Sequence, residues 1–64
     1  MSLHEYQKSR EIASHEYPFY ALIMAAIRQA DTDNLTILQA VFPETYVEFW
    51  KRYNAPGGVL IEED

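Results

Sequence analysis

The side chains that could carry out chemistry in this chain include two histidines, three serines and several carboxylates. His4 and His15 lie eleven residues apart, and each is followed by a glutamate. This spacing supplies no third ligand of the kind that metal sites need. The sequence therefore predicts neither a metal site nor a catalytic histidine, and we interpret both histidines as surface groups.

Three oxygen-bearing side chains, Asp31, Asp33 and Asn34, resemble the opening of a calcium-binding loop. Such a loop needs a glycine at its sixth position and a glutamate at its twelfth. Thr36 and Phe42 stand at those positions. Turn formation and helix capping explain the cluster better.

Nucleophilic catalysis finds little support in the sequence. Cysteine is absent, and the serines Ser2, Ser9 and Ser14 lie in or beside the first predicted helix without a G-x-S-x-G context. There is no glycine-rich phosphate loop, and a chain of 64 residues hardly encloses a pocket of the usual size. We therefore predict a protein without enzymatic activity, cofactor or small-molecule ligand.

The elements that position these residues are predicted to be short helices, which makes the fold class all-α. We expect helices over residues 3–15, 18–30, 35–42 and 43–53, packed as a compact bundle. Residues 1–58 would form one domain around a central apolar helix at about 18–30. Residues 59–64, which end in three acids, would form a flexible acidic tail.

Local signals mark the ends of these helices. Ser2 to Glu5 reads S-L-H-E, which is a capping-box pattern. Pro18 and Pro43 suit the first turn of a helix. Residues 31–34 form a turn cluster, and residues 54–58, NAPGG, combine several stop signals.

The second helix is unusually apolar, because only Ala21, Ala25, Arg28 and Gln29 remain to meet water. A helix of this kind must be covered on more than one side. We expect the other three helices to pack around it. Because three short helices hardly suffice to cover the second helix, a partner protein or a second copy of the chain would cover the rest of its apolar surface.

Composition restricts the class of protein. The chain is 48% hydrophobic and 14% aromatic, which is too rich for a disordered segment. Its net charge of −5 disfavours contact with nucleic acid or anionic membranes. The longest nearly apolar run covers only residues 18–27, whereas a membrane span needs about 20 residues. With no signal peptide visible and no cysteine, we predict a cytoplasmic protein.

The aromatic residues are the strongest candidates for a function, although a small helical core also needs large rings. Tyrosine and tryptophan are frequent at the energetic centres of protein interfaces. We expect four rings to be left half-exposed for a partner: Tyr20, Phe49, Trp50 and Tyr53. Glu44 and Glu48 would form a charged rim that selects the partner.

Two segments, PFYALIMAAIRQADTDN and FPETYVEFWKRYNAPGG, resemble small uncharacterised proteins encoded on integrative and conjugative mobile elements of bacteria. The resemblance covers residues 5–58 and brings no catalytic motif. It implies an intracellular accessory protein of a mobile element that interferes with host machinery.

Three functional hypotheses follow from these patterns. The first is a protein-interaction module that binds another protein or forms a homodimer. The second is an acidic inhibitor of a host nucleic-acid-binding defence protein, presenting Asp31, Asp33, Glu44, Glu48 and the tail. The third is a DNA-binding regulator, which is disfavoured because the predicted third helix has no lysine or arginine.

Overall fold

The computed structural model describes residues 1–61 and contains, over that range, four α-helices and no strand. The helices are α1 (Leu3–Ala13), α2 (Phe19–Gln29), α3 (Thr32–Val41) and α4 (Pro43–Tyr53), and a short 3₁₀ turn follows at Pro56–Gly58. The predicted all-α class is confirmed. The last three residues of the predicted flexible tail lie outside the described residues.

Side-chain caps fix the starts of two helices. The Glu5 N–H donates a hydrogen bond to Ser2 Oγ at 3.2 Å, as the capping pattern predicts for α1. The Asn34 N–H donates to Asp31 Oδ1 at 2.8 Å, so Asp31 is the cap of α3. Helix α3 therefore begins at Thr32 and not at Leu35, because most of the predicted turn cluster belongs to its first turn.

Helix α1 stands apart from the rest of the chain. Every residue from Met1 to Tyr20 is exposed, and α1 makes no extensive contact with the other helices described here. The prediction that the first helix covers the second is therefore wrong. The connection at residues 14–18 directs α1 away: Glu16 adopts a positive φ of 54°, and extended Pro18 precedes α2.

Helix α4, and not the predicted central helix α2, is the element around which the packed part of the chain assembles. It packs against α2, α3 and the 3₁₀ turn. The ring of Phe19 lies 6.1 Å from that of Phe42 near the starts of α2 and α4, and Arg28 lies over Phe49 further along both helices. Helices α2 and α4 therefore run in the same direction, and α3 connects them.

The core is very small. Only Ile27 of α2 and Phe49 of α4 are buried among the described hydrophobic residues. The radius of gyration is 13.6 Å, whereas a compact domain of this length would have about 11 Å. The expected compact bundle is therefore not confirmed, because α1 adds length to the molecule without adding to its core.

Between Met1 and Ile61, no helix is long and apolar enough to cross a membrane.

Candidate partner-binding surface

A groove between α2 and α4 is one of the concave surfaces formed by these helices. On α2 it is lined by Tyr20, Met24 and Arg28, which are spaced four residues apart and so share one helix face. Residues of α4 line the other side, from Glu44 to Tyr53. We call this the α2–α4 groove and distinguish an acidic half from a basic half.

The acidic half is a cavity of about 340 Å³ lined by Tyr20, Met24, Glu44, Thr45 and Glu48. Tyr20 is 57% exposed. The side-chain carboxylate of Glu44 makes no ion pair or hydrogen bond among residues 1–61, whereas that of Glu48 accepts a hydrogen bond from Arg52. In this half of the groove, the side chains of a partner could therefore contact an aromatic ring, a thioether and a carboxylate that is unpaired within the described chain.

The basic half is a cavity of about 470 Å³ where α2, α4 and the 3₁₀ turn meet. The guanidinium carbon of Arg28 lies 5.1 Å from the centre of the Phe49 ring and 5.5 Å from that of Tyr53. Both distances fall within the range of cation–π attraction. Arg28 therefore joins α2 to α4, whereas the sequence pattern predicted that this residue meets water.

Arg52 holds the 3₁₀ turn against α4. Its Nε donates to Glu48 Oε2 at 3.0 Å, an i, i+4 pair along one face of the helix. Its Nη1 donates to the carbonyl oxygen of Gly58 at 2.9 Å. Gly57 and Gly58 have φ values of 63° and 73°, which glycine adopts most readily, so the chain turns here to bring that carbonyl within reach.

The structure brings three of the six predicted residues together. Tyr20, Glu44 and Glu48 share the acidic half of the groove. Tyr53 is 58% exposed and lines the basic half.

The prediction that Phe49 is half-exposed is wrong, because only 4% of its surface is accessible. The sequence pattern does not show how many helices pack against α4. Helix α4 has two neighbours, and Phe49 lies on the side that meets α2 and Arg28. Phe49 therefore supports the groove from below and offers a partner little surface.

Trp50 is half-buried and packs edge-on against the neighbouring rings. Its ring centre lies 5.0 Å from that of Phe49, 5.3 Å from Tyr53 and 6.2 Å from Tyr46. Its Nε1 atom is shielded and has no hydrogen-bond partner among the described atoms. Trp50 is therefore better placed to hold α4 in shape than to lead a contact with a partner.

A second candidate surface lies on α1. Leu3, Tyr6, Arg10 and Ala13 follow one another at intervals of three and four residues, so they form one face, which we call the α1 stripe. Tyr6 is 60% exposed, and Arg10 makes no ion pair within the described chain. The stripe is therefore an apolar face with a cation near its middle.

No group of three or more histidine, cysteine, aspartate or glutamate side chains is arranged to hold a metal ion in residues 1–61. Both histidines are exposed, and the ring of His15 stacks on Tyr17 at 5.3 Å.

No protein-family model, curated protein or solved structure matches this chain. The resemblance to proteins of mobile elements therefore stays a prediction.

Proposed function

We propose that this chain is a small protein-interaction module, which acts by burying its exposed aromatic and apolar surface against a partner protein. The proposal includes the absence of catalysis and an accessory role in the cytoplasm, both of which rest on the sequence. The observation that carries it is the large surface that the fold leaves uncovered.

The accessible surface of the chain is 5533 Å². A folded monomer of 7.5 kDa is expected to expose about 4,200 Å². The excess of about 1,300 Å² exceeds the roughly 800 Å² that each partner buries in an interface of standard size. A partner of ordinary dimensions would therefore cover more than half of this excess.

Helix α1 supports the same conclusion. An isolated helix shorter than about 12–15 residues is marginal in water, and most helices in proteins depend on the packing of an apolar face. Helix α1 has 11 residues, none of them buried, and makes no extensive contact with another helix of the described chain. A protein that covers the α1 stripe would supply the missing stabilisation.

The test compares two substitutions that shorten exposed apolar side chains of α1 on different faces. Tyr6→Ser removes a ring from the α1 stripe, whereas Ile12→Ser removes an apolar side chain that lies off the stripe. We expect Tyr6→Ser to reduce association strongly and Ile12→Ser to change it little. Association with the chain itself is measured by sedimentation, and association with other proteins by capture on the tagged chain.

This function would be ruled out if the chain is monomeric at every concentration and captures no protein that the Tyr6→Ser variant fails to capture.

The acidic-inhibitor hypothesis stays a prediction with less support, because Asp31 is engaged in capping α3 and Glu48 pairs with Arg52. The DNA-binding hypothesis also stays a prediction, and α3 has no cationic side chain with which to contact phosphate.

A further inference from the structure

We propose that the partner is a second copy of this chain and that the two copies exchange α1. The α1 stripe of each copy would lie in the acidic half of the other copy's α2–α4 groove, with Arg10 facing Glu44. This inference rests on the proposed function and names the partner that the function requires.

Charge complementarity favours this occupant. The α1 stripe presents apolar Leu3 and Tyr6 beside Arg10, a cation without an ion pair in residues 1–61. The acidic half of the groove presents Tyr20 and Met24 beside Glu44, whose carboxylate also has no ion pair in residues 1–61. Joining the two surfaces pairs apolar groups with apolar groups and a cation with an anion, as complementary interfaces do.

The dimensions also agree. Helices α1, α2 and α4 each contain 11 residues, so α1 is long enough to span the acidic half of the groove between the other two. A reciprocal exchange has twofold symmetry and forms the same contact twice. If each chain covers its excess of about 1,300 Å², the dimer buries about 2,600 Å² in total, which falls in the range of obligate homodimers.

The connection between α1 and α2 is suited to such an exchange. Glu16 has a φ of 54° without being a glycine, which strains the backbone of this short connection. Strained short connections favour the exchange of a segment between copies over its folding back onto the same chain. Because α1 already points away from its own α4, a second copy can reach the stripe without breaking any packed contact between the described helices.

The test uses charge reversal on each side of the proposed contact. Arg10→Glu and Glu44→Arg each place two like-charge pairs in a homodimer, so each should raise the dissociation constant at least about tenfold, since like-charge contacts strongly disfavour association. Lys8→Glu reverses a charge of the same sign that lies off the α1 stripe and should change the dissociation constant little. Circular dichroism of each variant controls for loss of helix.

Mixing the two single variants distinguishes docking of α1 on a second copy from docking of α1 on its own chain. In the exchanged heterodimer, the glutamate introduced by Arg10→Glu in one chain meets the arginine introduced by Glu44→Arg in the other. The second contact joins the unchanged Arg10 to the unchanged Glu44. Dimerisation should therefore return close to the wild-type level in the mixture, and also in the double variant. Each result is measured by sedimentation over a dilution series.

Four results would overturn the exchange. Rescue in the double variant but not in the mixture would show that α1 docks on its own chain. A dimer that tolerates both reversals would use another surface. A chain that stays monomeric but loses a different protein partner on Tyr6→Ser would refute the exchange and leave the proposed function standing, whereas the absence of any association would refute both.

Discussion

Replacing Arg28 with alanine removes the only cation of α2, and with it the cation–π contacts to two rings of α4. Its guanidinium carbon lies 5.1 Å and 5.5 Å from the ring centres of Phe49 and Tyr53. A cation–π contact at an exposed site contributes about 0.5–1 kcal/mol. With two rings sharing one cation, we expect Arg28→Ala to lower the free energy of unfolding by about 1–1.5 kcal/mol.

This loss is large for so small a protein. In a domain of 60–100 residues, 1 kcal/mol shifts the melting temperature by roughly 4–8 °C. Urea unfolding followed by the fluorescence of Trp50 would measure it, because Trp50 lies in the ring cluster beside Phe49 and Tyr53. All variants must be compared at one protein concentration, since association stabilises the folded chain.

Gln29→Ala is the matched control, because Gln29 is exposed, adjacent and touches no ring in the described contacts. It should leave stability nearly unchanged. A double-mutant cycle of Arg28→Ala with Tyr53→Leu isolates the Tyr53 contact, for which we expect a coupling of about 0.5 kcal/mol. If Arg28→Ala unfolds no more easily than Gln29→Ala, the guanidinium does not join the two helices and the basic half of the groove has been misinterpreted.

Three further substitutions test other parts of the fold. Phe49→Ala should cost about 3–5 kcal/mol and leave little helical circular dichroism, because it removes one of the two buried hydrophobic side chains described; a folded variant would contradict that core. Asp31→Ala should cost about 1 kcal/mol in urea unfolding through loss of the α3 cap, whereas Asp33→Ala, two residues further along, should cost less. Gly57→Ala should destabilise by about 1 kcal/mol because of its φ of 63°, although its new methyl group meets no atom within 4 Å; an unchanged midpoint would show that the turn adjusts freely.

The helix boundaries could largely be predicted from the sequence, because local chemistry determines them. Pro43 and the run after Tyr53 delimit α4 as predicted, and Ser2 caps α1. The start of α3 was misplaced because an aspartate cap is compatible with either a turn or a helix, and only the hydrogen bond to the Asn34 N–H distinguishes them.

The arrangement of the helices could not be predicted in the same way, since it depends on contacts between distant residues. A helical pattern shows how apolar a face is but not how many neighbours it has, which is why Phe49 was expected to be half-exposed. A hydrophobic pattern also assigns every arginine to the solvent-exposed face, so it did not predict that Arg28 contacts the rings of Phe49 and Tyr53. Its position as the single cation on an apolar helix, in a chain with an aromatic last helix, was the available signal.

The dependence of the folded unit on α4 has a consequence for the order in which the protein is made. The side chains of α2 emerge during synthesis before the helix that buries them exists. At 5–20 residues per second, the interval between the end of α2 and the end of α4 is roughly one to five seconds. During that time the nascent chain displays its most apolar segment without a cover, so a molecular chaperone that binds apolar peptides would meet this protein at α2 first.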